Sequence, residues 1–311
     1  MSADAPAASP GSSRLGFIGL GNIGGPMAAS LASWTGGLTV FDVSADAVAS
    51  LVDHGATAAD SPAALARVAD IIGICVRDDE QVLAVVDGPD GLLSTAAPGT
   101  IVAIHSTISA DTAKALAATA AERGVRVLDA PISGGAVGAA DGRLAIMVGG
   151  PREAYERIVE PMGGAADLIV HAGDAVGAGT AMKLARNLLH FVSFTATAEA
   201  SRLAAAAGLD LPTLGKVVRH SDAVTGGAGA IMLRDNVAEI APDDFWYQVF
   251  LPVRSLGEKD LGLALELGDE LGVDLPLAAA ALRDLAAALG VPHEGLISDD
   301  HASSGANGVV A

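Results

Sequence analysis

The stretch LGFIGLGNIGGPM, residues 15–27, decides the fold. A short apolar run is typical of a β-strand, and the string Gly19-Leu20-Gly21-Asn22-Ile23-Gly24 then opens a pattern typical of a helix. Glycine at these three positions permits a tight turn and a close approach of the backbone to a pyrophosphate, while the helix N-terminus offers free N–H groups. The stretch therefore predicts a dinucleotide-binding loop at the beginning of the first domain.

An acidic residue follows this loop at the spacing that dinucleotide binding requires. Asp42 closes the next predicted strand, 18 residues after Gly24. A carboxylate there can accept hydrogen bonds from both ribose hydroxyls of the adenosine half. It would repel a 2′-phosphate, and no arginine follows nearby to neutralise one. The pattern predicts NAD as the cofactor, with NADP less favoured.

Short apolar runs alternate with helical stretches through the first half of the chain. Apolar strands separated by helices indicate a parallel sheet covered on both faces. The order predicts an α/β fold with a Rossmann-type, doubly wound sheet. The predicted strands are Leu15–Gly19, Leu38–Asp42, Ile71–Val76, Ile101–His105, Arg126–Asp129, Leu144–Val148 and Leu168–His171.

The second half predicts helices alone. A long helical pattern without proline covers Gly179–Ala207, and shorter ones follow at Leu211–His220, Gly229–Asn236, Ser255–Leu271 and Pro276–Leu289. We therefore predict an all-helical C-terminal domain after the sheet domain. The predicted boundaries are a flexible segment at 1–13, a dinucleotide-binding domain at 14–176, a helical domain at 177–295 and a flexible tail at 296–311.

Composition narrows the range of partners. Acidic residues outnumber basic ones by 37 to 18, and the formal net charge is −19, which argues against nucleic acid and anionic membranes. We expect neither a signal peptide nor a membrane span, because the N-terminus has no basic and apolar regions and glycine and proline interrupt the long uncharged stretches. The only cysteine, Cys75, fits a reducing cytoplasm. The His, Cys and carboxylate spacings predict no metal site.

Three further strings are more specific than the glycine loop. They are Asp129-Ala130-Pro131-Ile132-Ser133-Gly134-Gly135-Ala136-Val137-Gly138-Ala139, Gly177-Ala178-Gly179-Thr180-Ala181-Met182-Lys183-Leu184-Ala185-Arg186-Asn187 and Lys259-Asp260-Leu261-Gly262-Leu263-Ala264. With Gly19–Met27 they resemble the β-hydroxyacid dehydrogenase family, of which 3-hydroxyisobutyrate dehydrogenase is the best-known member. The resemblance spans roughly residues 14 to 295.

The resemblance implies a fold, an activity and an assembly. It implies a Rossmann domain, a helical domain like that of 6-phosphogluconate dehydrogenase, and an active site between them. The implied enzyme is an NAD(P)-dependent dehydrogenase that exchanges a hydride between the nicotinamide and the hydroxyl-bearing carbon of a small anionic hydroxy acid. That acid would be 3-hydroxyisobutyrate-like or a bulkier analogue. Family members commonly form homodimers or homotetramers through the helical domain.

Lys183 and Asn187 are the predicted catalytic residues. They are four positions apart on the long helix and so share one face. A partly desolvated lysine can have a lowered pKa, so it can take the hydroxyl proton during oxidation and return it during reduction. The resemblance assigns the catalytic role to Lys183. Asn187 could donate to the substrate oxygen or hold the lysine in place.

Substrate binding is predicted at two places. The Ser133 hydroxyl and the consecutive N–H groups at Gly134 and Gly135 could form an anion-binding nest. The resemblance places the substrate carboxylate there, although a turn needed only for its backbone geometry is the alternative. The resemblance also puts Lys259 near the nicotinamide ribose and the substrate, so this residue is predicted to contact both.

The loops after two further strands are expected to contact the nicotinamide half. The resemblance matches Thr107 to a contact position, and Val76 and Arg77 to a Leu-Pro pair in relatives, so the latter loop could differ in shape. His105 departs from the Ser or Asp that is usual there. A structural histidine and one that tunes cofactor binding are both open.

An aromatic cluster lies just before Lys259, where relatives line the substrate cleft. The segment Phe245–Phe250 holds four of the ten aromatic residues in the chain. It could enlarge an apolar substrate pocket, or it could form a subunit contact.

Two other functions are compatible with the sequence. One is imine reduction, because imine reductases resemble this family, although they usually carry Asp or Tyr where this chain has Lys183. The other is a non-catalytic nucleotide-binding scaffold, although such relatives tend to lose that lysine.

Overall fold

The computed structural model describes residues 13–227 and 238–293. The chain divides into two compact units, one that ends at Leu188 and one that begins at Leu189. The predicted segment 1–13, except for its last residue, lies outside the described residues, and so do the predicted helix Gly229–Asn236 and the predicted tail 296–311. The domain boundaries that the sequence predicts stay a prediction.

The first unit is built on one sheet. Its strands are β1 Leu15–Ile18, β2 Leu38–Phe41, β3 Thr57–Ala58, β4 Ile71–Ile74, β5 Ile101–Ile104, β6 Arg126–Asp129, β7 Ile132–Ser133, β8 Leu144–Gly149 and β9 Ala166–Gly173. They lie in the order β3-β2-β1-β4-β5-β6-β8-β7, and β9 pairs with β8. The first six are parallel, whereas β8 runs antiparallel to β6 and β7. The Rossmann-type sheet is confirmed, with an antiparallel edge that the apolar pattern did not show.

Helices connect these strands and form the rest of the described chain. In the first unit they are α1 Gly24–Leu31, α2 Ala45–Val52, α3 Pro62–Ala66, α4 Asp79–Asp87, α5 Ala110–Ala121, α6 Gly135–Ala140 and α7 Arg152–Met162. Helix α8, Ala178–Ala206, continues from the first unit into the second. The described part of the second unit then contains α9 Leu211–Thr225, α10 Phe245–Leu271 and α11 Pro276–Leu289, which confirms the helical C-terminal region.

The sheet has an apolar core on each face, as a doubly wound fold requires. Successive residues of one strand alternate between the two cores, so that Phe17 belongs to one and Ile18 to the other. The central strands read as continuous apolar runs because both of their faces are buried. The strands between these two cores end in the loops that the sequence singles out.

The aromatic cluster lies on the first turns of α10. This helix begins at Phe245, ten residues before its predicted start, because Asp244 caps it by accepting the Trp246 N–H at 2.8 Å. Pro252 sits inside the helix and explains the later predicted start. Phe250 is 3% exposed and stacks on Trp246 within the core of the second unit. None of the helices in the described segments is long and apolar enough to cross a membrane.

His105 is buried where β5 ends. Its ring stacks on Phe17 with 6.0 Å between centroids, and its Nδ1 lies 2.9 Å from the Ala130 carbonyl oxygen. A carbonyl can only accept, so Nδ1 carries the hydrogen. The ring occupies the space that Gly73 leaves, since a Cβ there would lie 3.2 Å from Nε2. Burial lowers the pKa of His105 to about 4, so the ring is neutral at physiological pH.

Burial of His105 predicts acid sensitivity. The unfolded state binds a proton near pH 6.5 and the folded state only near pH 4, so stability that is present above pH 6.5 is lost as the pH falls towards 4. The shift corresponds to about 3 kcal/mol. His105→Asn should lack this pH-dependent part of the free energy of unfolding. The measurement is urea unfolding followed by circular dichroism at pH 7.5 and 4.5.

His54 provides the matched control, because its side chain is exposed. The wild type and His54→Asn should lose equal amounts of free energy of unfolding between the two pH values, and His105→Asn should lose less. Equal losses in all three proteins would contradict the assignment.

Candidate active site

The predicted binding residues of the first unit follow the carboxyl ends of its parallel strands. These ends share one edge of the sheet, the usual place for a ligand in such folds. The loops concerned begin at Gly19 after β1, Asp42 after β2, Cys75 after β4, His105 after β5 and Ala130 after β6. The structure thus brings together segments that are far apart in the sequence.

The glycine loop has the geometry of a pyrophosphate cradle. Gly19 has a φ of 89°, and a Cβ there would overlap the Cys75 carbonyl oxygen, so only glycine fits. By contrast, a Cβ at Gly21 would meet no protein atom within 4 Å. No side chain of the described residues caps α1, which begins at Gly24. The loop therefore offers open space and helix N–H groups to an anion, and it fits a dinucleotide.

Asp42 is fixed beside this loop. One oxygen accepts the Leu20 N–H at 2.6 Å, and the other accepts the Ser44 N–H at 2.8 Å. Its carboxylate is half-buried at the end of β2. Each oxygen has a second lone pair, so the carboxylate can still accept hydrogen bonds from ribose hydroxyls.

The loops after β4 and β5 are tied together by Ser106. Its hydroxyl accepts the Val76 N–H at 2.8 Å and donates to the Val76 carbonyl at 2.7 Å. Thr107 is exposed next to it, and the exposed Arg77 pairs with Asp78 at 3.1 Å. Ser106 had no predicted role. A hydroxyl directly before Thr107 at a strand end was the available signal.

The segment predicted to bind a carboxylate lies between β7 and α6. Ser133 pairs with Ala145 on β8 and is half-buried. Gly134 and Gly135 have φ values of 133° and 64°, which favour glycine, and a Cβ at Gly135 would meet nothing within 4 Å. Helix α6 packs against α1, so this segment is a neighbour of the helix that begins in the glycine loop.

Lys183, the predicted catalytic lysine, is buried in the first unit. Its side chain is 8% exposed on the second turn of α8. Burial, and then the positive charge of Arg186, lower the pKa of its ammonium group. One turn further on, Asn187 is half-buried and its amide oxygen accepts from Arg186 Nη1 at 3.2 Å. The pair is suited to proton transfer beside a polar amide.

A second residue that the sequence analysis left without a role anchors this helix. Asp129, 1% exposed at the end of β6, accepts the Gly177 N–H at 2.7 Å and the Thr180 N–H at 2.6 Å. The signal was its position at the head of the Asp129–Ala139 string, immediately after a buried strand.

Lys259 is the one predicted site residue that belongs to the second unit. It lies on α10, and its side chain is exposed. Within the described ranges, no group of three His, Cys, Asp or Glu side chains could hold a metal ion.

Comparison with known proteins identifies the family. Models described as the NAD binding domain of 6-phosphogluconate dehydrogenase and as NAD-binding of NADP-dependent 3-hydroxyisobutyrate dehydrogenase match residues 14–173 and 177–303. An uncharacterized oxidoreductase of Mycobacterium tuberculosis is 58% identical over 92% of this chain and 96% of the relative. The 3-hydroxyisobutyrate dehydrogenase of Pseudomonas aeruginosa is 39% identical over 91% of this chain and 95% of the relative.

Solved structures agree with this assignment. An oxidoreductase from Mycobacterium avium has a TM-score of 0.86 at 56% identity, covering 90% of this chain and 99% of that chain. An imine reductase from Myxococcus stipitatus has a TM-score of 0.72 at 18% identity, covering 92% and 98%, which shows the fold alone. The NAD-binding models and the dehydrogenase relatives confirm an NAD-binding dehydrogenase that acts on hydroxyl donors. The chain belongs to the β-hydroxyacid dehydrogenase family.

Proposed function

We propose that this protein oxidises a small β-hydroxy acid reversibly with NAD, and that Lys183 is the general acid and base. The observation that carries the proposal is the burial of Lys183 on α8, in the same unit as the open glycine loop. A buried ammonium group is unfavourable without a function or a partner, and burial lowers its pKa towards working pH.

Lys183 supplies the proton transfer. During oxidation, its neutral Nζ takes the hydroxyl proton as the C–H bond breaks, and the carbonyl forms. The bound nicotinamide supplies the hydride acceptor. In the reverse direction, the ammonium form returns that proton to the carbonyl oxygen. Asn187 lies one turn away, and its amide N–H can donate to the same oxygen, which orients the substrate for transfer.

The substrate carboxylate is proposed to bind at Ser133, Gly134 and Gly135. The positive φ values of the two glycines and the open space beside Gly135 support this, because N–H groups in such a turn can converge on an anion. Lys259 is proposed to contact the nicotinamide ribose and the substrate, as the family resemblance implies.

The cofactor is proposed to contact the loops that follow β1, β2, β4 and β5. The glycine loop, Gly19 to Gly24, would hold the pyrophosphate, and Asp42 the adenosine ribose. The nicotinamide half would be contacted by Val76 and Arg77 in the loop after β4 and by Thr107 in the loop after β5. Ser106 holds these two loops together through its hydrogen bonds to Val76. The fixed carboxylate of Asp42 supports the preference for NAD over NADP, because it disfavours a 2′-phosphate.

The substrate class is proposed from the relatives. The 3-hydroxyisobutyrate dehydrogenase of Pseudomonas aeruginosa supports a small hydroxy acid. A bulkier acid is the alternative substrate, and it would be accepted if the segment Phe245–Phe250 enlarges an apolar pocket. Phe250 and Trp246 are packed in a core, whereas Phe245 is 72% exposed and is the member of the cluster that could contact a substrate or a second subunit.

We also propose a homo-oligomer, a dimer or a tetramer, formed through the helical domain. Support comes from α9, all of whose residues are described and none of which is buried in the single chain. Its Val217 and Val224 are 58% and 75% exposed. A reducing cytoplasm is the proposed compartment, since the only cysteine, Cys75, has no intrachain partner and burial raises its pKa to about 11.

A substrate panel tests the function. NADH formation is measured with 3-hydroxyisobutyrate, L-serine and larger β-hydroxy acids, each with NAD and with NADP. At least one acid should turn over, and faster with NAD. Lys183→Ala should lower kcat by roughly 10²- to 10⁴-fold while NADH still binds, because only the proton transfer is lost. Lys114→Ala, a change at an exposed lysine of α5, is the control.

Wild-type turnover in Lys183→Ala would end the proposal. Faster turnover with NADP would contradict the role of Asp42. If only the smallest acids react, the bulkier-analogue alternative fails.

The pKa of Lys183 predicts the pH dependence of oxidation. Neutral lysine is the active form, so kcat/KM should rise with pH along a limb that lies below the pKa of an exposed lysine. Arg186→Gln removes the second cause of the lowering and should move this limb to higher pH. Arg67→Gln, an exposed change at the end of α3, should leave it in place. A limb that is the same in all three proteins would argue against Lys183 as the titrating group.

Light scattering after size exclusion tests the assembly. The wild type should have at least twice the mass of one chain, and Val217→Asp with Val224→Asp should shift it towards one chain, because charge on a covered apolar face is unfavourable. Val68→Asp, at an exposed valine of the first unit, is the control. A monomeric wild type would refute the proposed oligomer.

A further inference from the structure

The carboxylate of Asp129 serves as the N-terminal cap of α8, although it comes from a different element. The first N–H groups of a helix have no acceptor within the helix. Thr180 is the third residue of α8 and Gly177 precedes the first, and both donate to Asp129. Each carboxylate oxygen takes one of the two N–H groups. Among the described residues Asp129 forms no ion pair, so these backbone donors and the helix dipole balance its buried charge.

Lys183 lies one turn beyond this anchor. Residues three apart on a helix share a face, so Thr180 and Lys183 are neighbours along α8. The hydrogen bonds that Gly177 and Thr180 donate to Asp129 fix the first turn of α8 in two ways. They set its position along the helix axis and its rotation about that axis. The axial position and the rotation of this turn determine where the Lys183 side chain lies.

The packing around the anchor leaves no room for adjustment. A Cβ at Gly149 would overlap Asp129 Oδ1 and lie 2.6 Å from the Gly179 nitrogen. A Cβ at Gly179 would overlap the Met147 carbonyl oxygen. The first turn of α8 therefore rests directly on the backbone where β6 and β8 end, and small displacements are not tolerated there.

We propose that Asp129 is the positioning residue for Lys183, holding α8 at the end of β6 so that the lysine side chain stays buried at the reacting edge of the sheet. This inference rests on the proposed function of Lys183. Asp129 itself does not touch the substrate. It acts through the first turn of the helix, and a displacement of about 1 Å at a reacting group can lower a rate by roughly 10²-fold.

Two variants disturb the anchor in different ways. Asp129→Asn keeps the size of the side chain but places an amide N–H₂ against one of the two backbone donors. Gly149→Ala keeps the carboxylate but displaces it, because the new methyl group overlaps Oδ1. The control is Asp210→Ala, which removes the cap of another helix, α9, where Asp210 accepts the Thr213 N–H at 2.8 Å.

The main readout is the chemical reactivity of Lys183 and does not depend on the substrate. The enzyme is treated with acetic anhydride at a series of pH values, and modification of each lysine is measured by mass spectrometry. In the wild type, Lys183 should titrate below the usual range of a lysine, because burial lowers its pKa. In both anchor variants the Lys183 titration should move to higher pH. Its modification rate at high pH, where the amine is neutral in every protein, should rise because the side chain is more accessible. In the control both should be unchanged.

The second readout is kinetic. Both anchor variants should lose roughly 10- to 100-fold in kcat with little change in NADH affinity, and their pH limb should move upward with the Lys183 titration. If Asp129 merely stabilised the fold, unfolding would become easier while the titration and the limb stayed in place, and the proposal would be wrong. If Asp129→Asn does not fold, Gly149→Ala decides by the same readouts.

The two proposals fail separately. An active Lys183→Ala enzyme overturns the proposed function, whatever the anchor variants do. An inactive Lys183→Ala enzyme together with wild-type lysine reactivity and kcat in the anchor variants overturns the positioning role alone.

Discussion

The site depends on the close approach of backbone to backbone at the carboxyl edge of the sheet. Gly19 meets the carbonyl of Cys75 where β1 and β4 end, and Gly149 and Gly179 meet where β8 ends and α8 begins. A single Cβ at any of these positions would separate the elements. Because the main chain itself forms the floor of the site, its N–H groups become available as binding groups at positions that side chains could not reach.

Two helices, α1 and α8, have their positive N-terminal ends at this edge, but within the described residues only that of α8 is capped by a carboxylate of the protein. Helix α1 begins without a side-chain cap from the described residues, and so its positive end is left for an anionic ligand. The start of α8 is filled by the protein's own carboxylate, Asp129. The uncapped terminus of α1 is where the cofactor is proposed to bind, whereas the capped terminus of α8 is held in place by the protein itself.

The sequence predicts the parts of this architecture that follow from local patterns. The glycine loop, Asp42 and the alternation of strands with helices needed only periodicity and spacing, and the family strings pointed to Lys183. The two-residue strands β3 and β7 are too short to show a period, and the antiparallel pairing of β8 depends on tertiary packing. The role of Asp129 could not be predicted, because its partners lie 48 and 51 residues away and are backbone groups without a residue signature.

Helix α8 crosses the division of the chain, and the turns that carry the proposed catalytic residues belong to the first unit. Lys183 and Asn187 precede Leu188, so the proposed proton-transfer group and the glycine loop belong to one structural unit, while Lys259 and the aromatic cluster belong to the other. On the proposed function, substitutions in the helical unit would leave Lys183 and the glycine loop together in the unit that contains the sheet.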